Sequence, residues 1–249
     1  MKSFFRNLLK GVGFLLGALV FLALLDLLVY VFTPAKTEGP WEFGQERLAQ
    51  IEVQDNKVRI KNLRDIDWNS SEPKPNYKNI TFDIEKLSGL EVVVSHFSAF
   101  DPLAHVFLIF KNPNGESIAI SAESRRELGE EFSLLGGLTG RYELIYIVGT
   151  QDDLLGLRQK RKEKYQIYPI NATPEQIQKL FVALVKDINE AHTNPKLYHL
   201  FFRNCTNVIT SRVRKLNSNY NFSFLVTTFA PGKVGEMLEK MGLVKTQDH

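Results

Sequence analysis

Residues 104–123 read AHVFLIFKNPNGESIAISAE, two β-rich runs with an Asn-Gly pair between them. β-Branched and aromatic residues favour strands, and apolar residues of these kinds recur in both runs. An Asn-Gly pair between such runs is the strongest short-range signal for a β-hairpin. This stretch therefore predicts two antiparallel strands joined by a turn at Asn114 and Gly115.

Further β signals flank the hairpin. Apolar residues alternate or run together between turn residues in IEVQDNKVRI (51–60), ITFDIEKL (80–87), LEVVVSHF (90–97), YELIYIV (142–148) and QIYPI (166–170). The segment DDLLGLRQKRKEK, which follows YELIYIV, predicts a short helix instead. The central part of the chain is therefore predicted to form mainly β-structure.

The carboxy-terminal third changes to helical spacing. Thr173, Pro174 and Gln176 supply an N-cap, a proline at the first helical position and a capping-box partner, which predict the start of a helix. Apolar residues at helical spacing predict two more helices, over TNVITSRVRKL (206–216) and after Pro231. Together with the strands, these helices predict an α+β fold.

The amino terminus departs from this pattern. A basic tip begins the chain, with charges at Lys2, Arg6 and Lys10, and an apolar run over residues 11–33 follows. The run is long enough to cross a bilayer core of about 30 Å. It is longer than the apolar stretch of a signal peptide, and no clear cleavage site follows it. We therefore expect an uncleaved anchor. Its only charge, Asp26, is expected to be tolerated there or to pair with a partner helix.

The basic tip also predicts the orientation of the anchor. Positive residues accumulate on the cytoplasmic side of membrane spans, so we expect a cytoplasmic amino terminus. The predicted organisation is a tip and transmembrane anchor over residues 1–35, a linker over 36–46 and an extracytoplasmic domain over 47–249. In a bacterium, this is a single-pass inner-membrane protein with a periplasmic domain.

The overall composition restricts the partners. With 44% hydrophobic and 24% charged residues, the chain has the composition of a globular protein. The net charge is only +3 and both signs are mixed throughout, so no nucleic-acid partner is expected. One cysteine and scattered histidines form no ligand motif such as Cys-x-x-Cys or His-Glu-x-x-His, so neither a metal nor another cofactor is expected.

Cys205, in the stretch RNCTN (203–207), is the only cysteine of the 249 residues. Exported domains use cysteines mainly in pairs, and a single one cannot form an internal disulfide. Cys205 is therefore a small buried hydrophobe, a link to another chain or a reactive thiol. Its place near the start of a predicted helix favours the thiolate, because unpaired N–H groups and the helix dipole stabilise negative charge there.

A reactive thiol needs a base, and histidine is the usual one. His192 ends a predicted helix, His249 is terminal, and His199 lies in a loop or extended segment without defined geometry. His105 is the best candidate, because it begins a predicted strand whose backbone would hold the ring in place.

The hairpin also brings an acid towards His105. With the turn at Asn114 and Gly115, residues 105 and 124 lie opposite each other, which leaves Glu123 one position away. A shift of one residue in the loop places Glu123 on the same face as His105. The residues thus allow a Cys-His-Glu site, and they also allow a buried Cys205, a His105 at a strand end and a Glu123 at the surface.

Four motifs together resemble the amino-terminal periplasmic domain family of the Lnb lipoprotein N-acyltransferase. They are KNLRDIDW, LAHVFLIFKNPNGESIAISAESRRE, YELIYIVGTQDDLLGLRQKR and LYHLFFRNCTN. The similarity covers about residues 50–245. That family is similar to circularly permuted papain-like folds of the NlpC and lecithin retinol acyltransferase kind, in which histidine precedes cysteine. The resemblance therefore implies an α+β fold with an antiparallel sheet packed on helices.

The resemblance also implies roles for individual residues. Cys205 takes the position of the nucleophile, His105 that of the base and Glu123 that of the acidic residue. The further positions that it implies for substrate or oxyanion binding are Arg125, Arg126, Asn204 and Thr206. Capping of the helix is an equally good explanation for the last two.

One departure from the family leaves the exact reaction open. The Lnb enzyme continues into several membrane helices, whereas the single span of this chain precedes its domain. We expect a membrane-anchored, cysteine-dependent acyltransferase or hydrolase that acts on phospholipid or lipoprotein acyl groups. The alternatives are a peptidoglycan amidase of the NlpC kind and a non-catalytic binding or assembly module of the cell envelope.

Overall fold

The predicted hairpin lies in the middle of a large mixed sheet in a computed structural model that describes residues 2–245. Within this range the sheet has nine strands: β1 (Gln50–Gln54), β2 (Lys57–Arg64), β3 (Tyr77–Asp83), β4 (Gly89–His96), β5 (His105–Lys111), β6 (Ile118–Arg125), β7 (Glu143–Thr150), β8 (Lys164–Pro169) and β9 (Lys196–Leu197). Their order is β1-β2-β7-β6-β5-β4-β8, with β3 beside β2 and β9 beside β7.

One helix, α1, precedes the sheet in the chain, and the other helices follow or connect its strands. The helices are α1 (Lys2–Phe32), α2 (Leu134–Leu138), α3 (Gln151–Lys160), α4 (Pro174–Thr193), α5 (Cys205–Leu216), α6 (Phe224–Phe229) and α7 (Val234–Lys240). The predicted capping box of α4 is present, with the Thr173 hydroxyl accepting from the Gln176 backbone N–H. The mixed α+β class and the amino-terminal apolar helix are thus confirmed. The sequence did not predict α2, α6 and β9, because such short elements carry too little periodicity.

Two details of the sheet differ from the prediction. Residues 51–60 are not one strand, because the chain reverses at Asp55 (φ 52°), a left-handed conformation that aspartate tolerates. The sheet is also not purely antiparallel, since Arg64 of β2 lies parallel to Gly149 of β7. Four strands separate these two along the chain, which gives the long crossover that a parallel pair requires.

The two faces of the sheet are covered by different helices. Successive side chains of a strand point to opposite faces, and β5 shows this alternation along its whole length. Val106, Leu108 and Phe110 belong to the core that includes residues of α4, α5 and α7. Phe107 and Ile109 belong to the smaller core beneath α3. The central hairpin is therefore positioned between α5 and α3.

The apolar helix contacts the domain near its carboxy-terminal end. Within α1, residues Phe4–Phe32 are long and apolar enough to cross a membrane. Asp26 Oδ2 lies 3.3 Å from Nε2 of the fully buried His199, and the Tyr30 hydroxyl donates to the Leu197 carbonyl at 3.3 Å. Nδ1 of His199 accepts from the Phe201 N–H at 3.1 Å, so Nε2 carries the proton that faces Asp26. The acid of the anchor is thus paired within its own chain.

Residues 36–46, predicted to be a linker, lie against the sheet. Trp41 is buried, and the Arg125 guanidinium lies 3.9 Å from the centre of its ring. The Lys36 backbone N–H donates to Glu143 at 2.8 Å. This segment therefore holds α1 close to the domain.

A buried ion pair joins the motif KNLRDIDW to α3. Arg64 Nε and Nη2 donate to the two carboxylate oxygens of Asp153 at 2.8 and 3.1 Å, and Trp68 Nε1 donates to the same carboxylate at 2.8 Å. Both charged side chains are almost completely buried. In such a place each charge is tolerated only because the other compensates it.

We predict that Asp153→Asn lowers the free energy of unfolding by about 3–5 kcal/mol, because it leaves the buried Arg64 charge unpaired. Urea unfolding of the full chain in detergent, followed by tryptophan fluorescence, measures this loss. The control is Glu175→Gln, which removes the exposed pair with Lys179 and should leave the midpoint unchanged. Equal midpoints for the two variants would contradict a structural role of the buried pair.

Candidate active site

Cys205 is the first residue of α5, as the sequence predicts. The Asn204 side-chain oxygen accepts from the N–H groups of Thr206 and Asn207 at 2.9 and 2.8 Å. Asn207 returns the bond by accepting from the Asn204 N–H at 2.8 Å, which completes a capping box. The thiol is buried at the end of the helix where the backbone favours negative charge.

His105 begins β5 and faces two polar side chains of β6. Its Nε2 lies 2.6 Å from the Ser121 hydroxyl and 3.3 Å from Oε1 of Glu123. The Ser121 hydroxyl donates to the same Glu123 oxygen at 2.9 Å. The ring and the carboxylate that the sequence suggested as partners are therefore in contact.

The register of the hairpin differs by one residue from the predicted one. Leu108 lies opposite Ile120 and Phe110 opposite Ile118. Counted on from these pairs, position 105 corresponds to position 123, in agreement with the contact between the His105 and Glu123 side chains. The turn is closed by the Gly115 N–H, which donates to the Asn112 carbonyl at 3.2 Å. The turn therefore spans residues 112–115 and is not centred on Asn114 and Gly115. This shift of one residue places Glu123 on the same face of the sheet as His105.

The hydrogen bonds also assign the proton of the His105 ring. A serine hydroxyl has one proton, and that of Ser121 is donated to Glu123. Ser121 therefore accepts from His105, which places a proton on Nε2. In the neutral ring this leaves the Nδ1 lone pair free to accept a proton from Cys205.

The thiol and the ring shift each other's pKa. Burial lowers the pKa of His105, but the charges of Glu123 and Cys205 outweigh burial and raise it to about 9. Burial raises the pKa of the Cys205 thiol, but the charge of His105, the Val106 N–H and the Thr206 hydroxyl together bring it below its ordinary value. The two shifts act in the same direction, because each favours the charged pair of thiolate and imidazolium.

Glu123 remains ionised although it is largely enclosed. Burial alone would raise its pKa, but His105, Arg158 and the Ser121 hydroxyl hold it well below its usual value. Arg158 Nη2 donates to Glu123 Oε1 at 3.0 Å from α3. The arginine that pairs with Glu123 is thus Arg158 of α3, and not Arg125 or Arg126, which follow Glu123 in the sequence.

A cavity of about 240 Å³ adjoins Cys205, His105 and Glu123. Tyr198 also lines it. Burial, followed by the negative charges of Cys205 and Glu123, raises the pKa of Tyr198 well above its ordinary value, so its hydroxyl remains a proton donor. The side of the cavity beneath α3 is basic, with Arg158 and Arg161.

The four further residues suggested by the resemblance have different positions. Arg126 lines the cavity and pairs with Glu42 at 2.5 Å. Arg125 does not line the cavity and points towards Trp41 and the Gln45 carbonyl.

The two residues beside the thiol have their polar groups engaged. The Asn204 amide caps α5 and donates to the Leu200 carbonyl at 2.7 Å. The Thr206 hydroxyl is buried 3.7 Å from the Cys205 sulphur. Capping therefore accounts for Asn204, whereas Thr206 acts on the thiol itself.

Ser121, Arg158 and Tyr198 complete the surroundings of the site without having been predicted. Ser121 precedes Glu123 by two residues, so strand alternation alone would have placed both on one face. Arg158 and Tyr198 come from α3 and from the loop before α5. No pattern in the sequence around Arg158 or Tyr198 indicates that these side chains reach the site.

The remaining histidines considered above lie elsewhere. His192 Nε2 lies 2.8 Å from the Ala49 carbonyl, and His199 faces Asp26. His249 lies outside the described residues. Among residues 2–245, no three side chains of histidine, cysteine, aspartate or glutamate lie close enough together to hold a metal ion.

Residues 74–231 match the family model of the Lnb N-terminal periplasmic domain. This match covers more than half of the chain and includes Cys205, His105 and Glu123, so the chain belongs to that family. The resemblance predicted from the motifs is thereby confirmed. Comparison with curated proteins and with solved structures gives no match.

We predict that the alkylation rate of Cys205 has a pH midpoint below the value of about 8.5 for a free thiol. A lowered pKa keeps the reactive thiolate populated as the pH falls through that value, and reactivity is lost only below the pKa of the folded protein. Iodoacetamide labelling followed by intact mass, at a series of pH values, measures the midpoint.

Two variants connect the midpoint to its cause. Glu123→Gln removes the charge that stabilises the imidazolium, so the midpoint should rise. Glu127→Gln, which removes only an exposed pair with Lys36, should leave it unchanged. A wild-type midpoint at or above that of a free thiol would show that burial outweighs the histidine.

Proposed function

We propose that this member of the Lnb N-terminal periplasmic domain family is a membrane-anchored thiol acyltransferase or hydrolase. The observation that carries the proposal is the contact of three groups, since Cys205 at a helix amino terminus is coupled to His105, which is in turn held by Glu123. A nucleophile, a base and an orienting acid in this arrangement are the parts of covalent acyl transfer.

We assign the domain to the permuted papain-like folds of the NlpC kind. In support, the histidine lies on a central strand, the cysteine begins a helix packed on the same sheet, and the histidine precedes the cysteine in the chain. A carboxylate holds the far nitrogen of the ring. The assignment rests on this order and geometry.

In the first half of the proposed reaction the thiolate of Cys205 attacks the carbonyl carbon of an acyl ester. The new carbon–sulphur bond pushes the carbonyl electron pair onto oxygen. The Cys205 backbone N–H, at the helix amino terminus, and the Tyr198 hydroxyl are the donors available to that oxyanion. When the carbon–oxygen bond breaks, His105 Nδ1 gives its proton to the leaving alcohol, and Cys205 carries the acyl group as a thioester.

In the second half an acceptor takes the acyl group from Cys205. Water or an amine gives a proton to the neutral Nδ1 of His105 as it attacks the thioester carbonyl. The carbon–sulphur bond breaks, the thiolate returns, and the imidazolium again stabilises it. Glu123 supports both halves, because it fixes the ring through Nε2 and favours its charged form.

The substrates that we propose are acyl groups of phospholipids or lipoproteins. The contact of α1 with the domain, at Asp26 and Tyr30, supports this choice because it holds the site close to the bilayer. The proposed topology has a cytoplasmic amino terminus and a periplasmic domain.

This topology predicts that a phosphatase fused to the carboxy terminus, which is active only in the periplasm, is active. The physical reason is the basic tip, which disfavours translocation of the amino terminus. Enzyme activity in intact cells measures the outcome. An inactive phosphatase together with an active cytoplasmic reporter at the same position would reverse the assigned orientation.

The central prediction is an acyl adduct on Cys205. Intact-mass analysis of the purified full chain after exposure to a membrane lipid extract should show an added acyl group, absent from Cys205→Ala. An adduct formed only with peptidoglycan fragments would instead indicate an amidase of the NlpC kind. Folded protein without an adduct from either source would indicate a non-catalytic module.

Glu123→Gln tests the mechanism of the same step. The amide can hold the ring but cannot stabilise the imidazolium, so the single-turnover rate of Cys205 acylation should fall, by up to about 10⁴-fold. Glu127→Gln is the matched control and should acylate at the wild-type rate. Equal rates for Glu123→Gln and wild type at equal folding would remove Glu123 from the site and leave a Cys-His pair.

A further inference from the structure

Exposed apolar side chains occur on the segments next to the cavity that Cys205 lines. Outside α1, six of them lie in four separate segments and define what we call the apolar rim: Phe97, Leu134, Phe202, Phe224, Leu225 and Phe229. Phe224 and Leu225 are 63% and 67% exposed. Large exposed apolar patches mark protein or membrane interaction sites.

The segments of the apolar rim are joined around the cavity. Phe97 and Leu134 line the cavity itself, from the loop after β4 and from α2. The Leu200 N–H, in the loop before Cys205, donates to the Gly137 carbonyl of α2 at 2.9 Å. The Phe229 ring of α6 lies 5.1 Å from that of Phe201 in the same loop. The segments that carry the rim therefore lie next to the cavity and, for α2, the loop before α5 and α6, next to one another.

The membrane anchor joins this rim. The Tyr30 ring of α1 lies 6.2 Å from the Phe202 ring and 4.7 Å from the His199 ring. The apolar part of α1 has 29 residues and so is about 44 Å long, compared with about 30 Å for a bilayer core. Tyr30 is near the end of this length, where tyrosines occupy the membrane–water interface. The loop that carries His199 and Phe202 thus packs against the end of α1 at which Tyr30 lies.

We propose that the apolar rim rests in the outer leaflet of the bilayer that α1 spans, so that the cavity of Cys205 opens towards the lipids. The contact of the rim with α1 favours a lipid partner. Phe202 belongs to the loop before Cys205, and its ring lies against Tyr30 of the anchor. Exposed phenylalanine and leucine side chains on short helices and loops are suited to the headgroup and acyl-chain boundary. An acyl ester then reaches the thiol without crossing water, an advantage that rests on the proposed function.

Depth measurements test the position of the rim without requiring activity. In the Cys205→Ser background, Leu225→Cys and Val182→Cys each provide one labelling site, the second on α4 and 44% exposed. A fluorophore is attached to the full chain at one of these two cysteines. The protein is then placed in vesicles of phospholipids with brominated acyl chains, which quench a fluorophore that lies within the bilayer. The label at 225 should be quenched several-fold more strongly than the label at 182, and a label at Leu19 of α1 gives the signal of full immersion.

Equal weak quenching at 225 and 182 would overturn the proposal, since the rim would then face water. Weak quenching at 225 together with crosslinking of two chains through that position would also overturn it, in favour of a protein partner. Both results are independent of the proposed function, because the nucleophile is absent from these variants.

A second experiment connects the rim to substrate access. Leu225→Glu should slow acylation of Cys205 from vesicle lipids by about tenfold or more, the equivalent of one buried leucine side chain. Acylation from a short-chain ester in solution should keep its rate, and Val182→Glu should change neither. An equal loss with both donors would indicate damage to the site and count against the rim. If wild type accepts neither donor, the proposed function fails, while the quenching still decides the position of the rim.

Discussion

The carboxylate of Glu123 is the charge on which the rest of the site depends. An ionised acid in an enclosed position is costly unless it is paired and hydrogen-bonded. Three groups meet this need, since His105, Ser121 and Arg158 all contact Oε1. The charge of Glu123 raises the pKa of His105, and the charge of His105 in turn lowers the pKa of the Cys205 thiol. Each charge is stable because of its neighbour, so the site is a single electrostatic unit.

The sheet brings this unit together from two strands and two helices. Strand alternation directs His105 and Glu123 to the face of α3, from which Arg158 reaches the carboxylate. Helix α5 packs on the opposite face, with Ile209 in the larger core. Its first residue, Cys205, reaches the Val106 N–H of the strand that carries the histidine. The central hairpin therefore carries the base and the acid while both covering layers contribute partners.

Local signals predicted much of this arrangement, and long-range packing supplied the remainder. A turn dipeptide between β-rich runs identified the hairpin, and the polar residues before an apolar stripe placed Cys205 at a helix start. The register was wrong by one residue, because the turn closes at Asn112 and the sequence does not distinguish neighbouring turns of similar length. Arg158 and Tyr198 were missed for a different reason, since they reach the cavity only through tertiary packing. The same limit applies to Asp26, whose partner His199 is 173 residues away.

The loop before α5 joins the anchor to the site. At one end, the Leu197 carbonyl accepts from the Tyr30 hydroxyl, and His199 Nε2 donates to Asp26. At the other end, the Leu200 carbonyl accepts from the Asn204 amide, whose oxygen caps the helix of Cys205. Burial lowers the pKa of His199 despite the opposing charge of Asp26, so the contact is a hydrogen bond from a neutral ring. This neutral donor binds Oδ2 of Asp26 without adding a second charge beside the apolar helix, while Oδ1 is buried without a hydrogen-bond partner among the described residues. The apolar helix and the cap of the proposed nucleophile are thus held by one short segment, which makes the position of Cys205 relative to α1 a consequence of the fold rather than of a flexible tether.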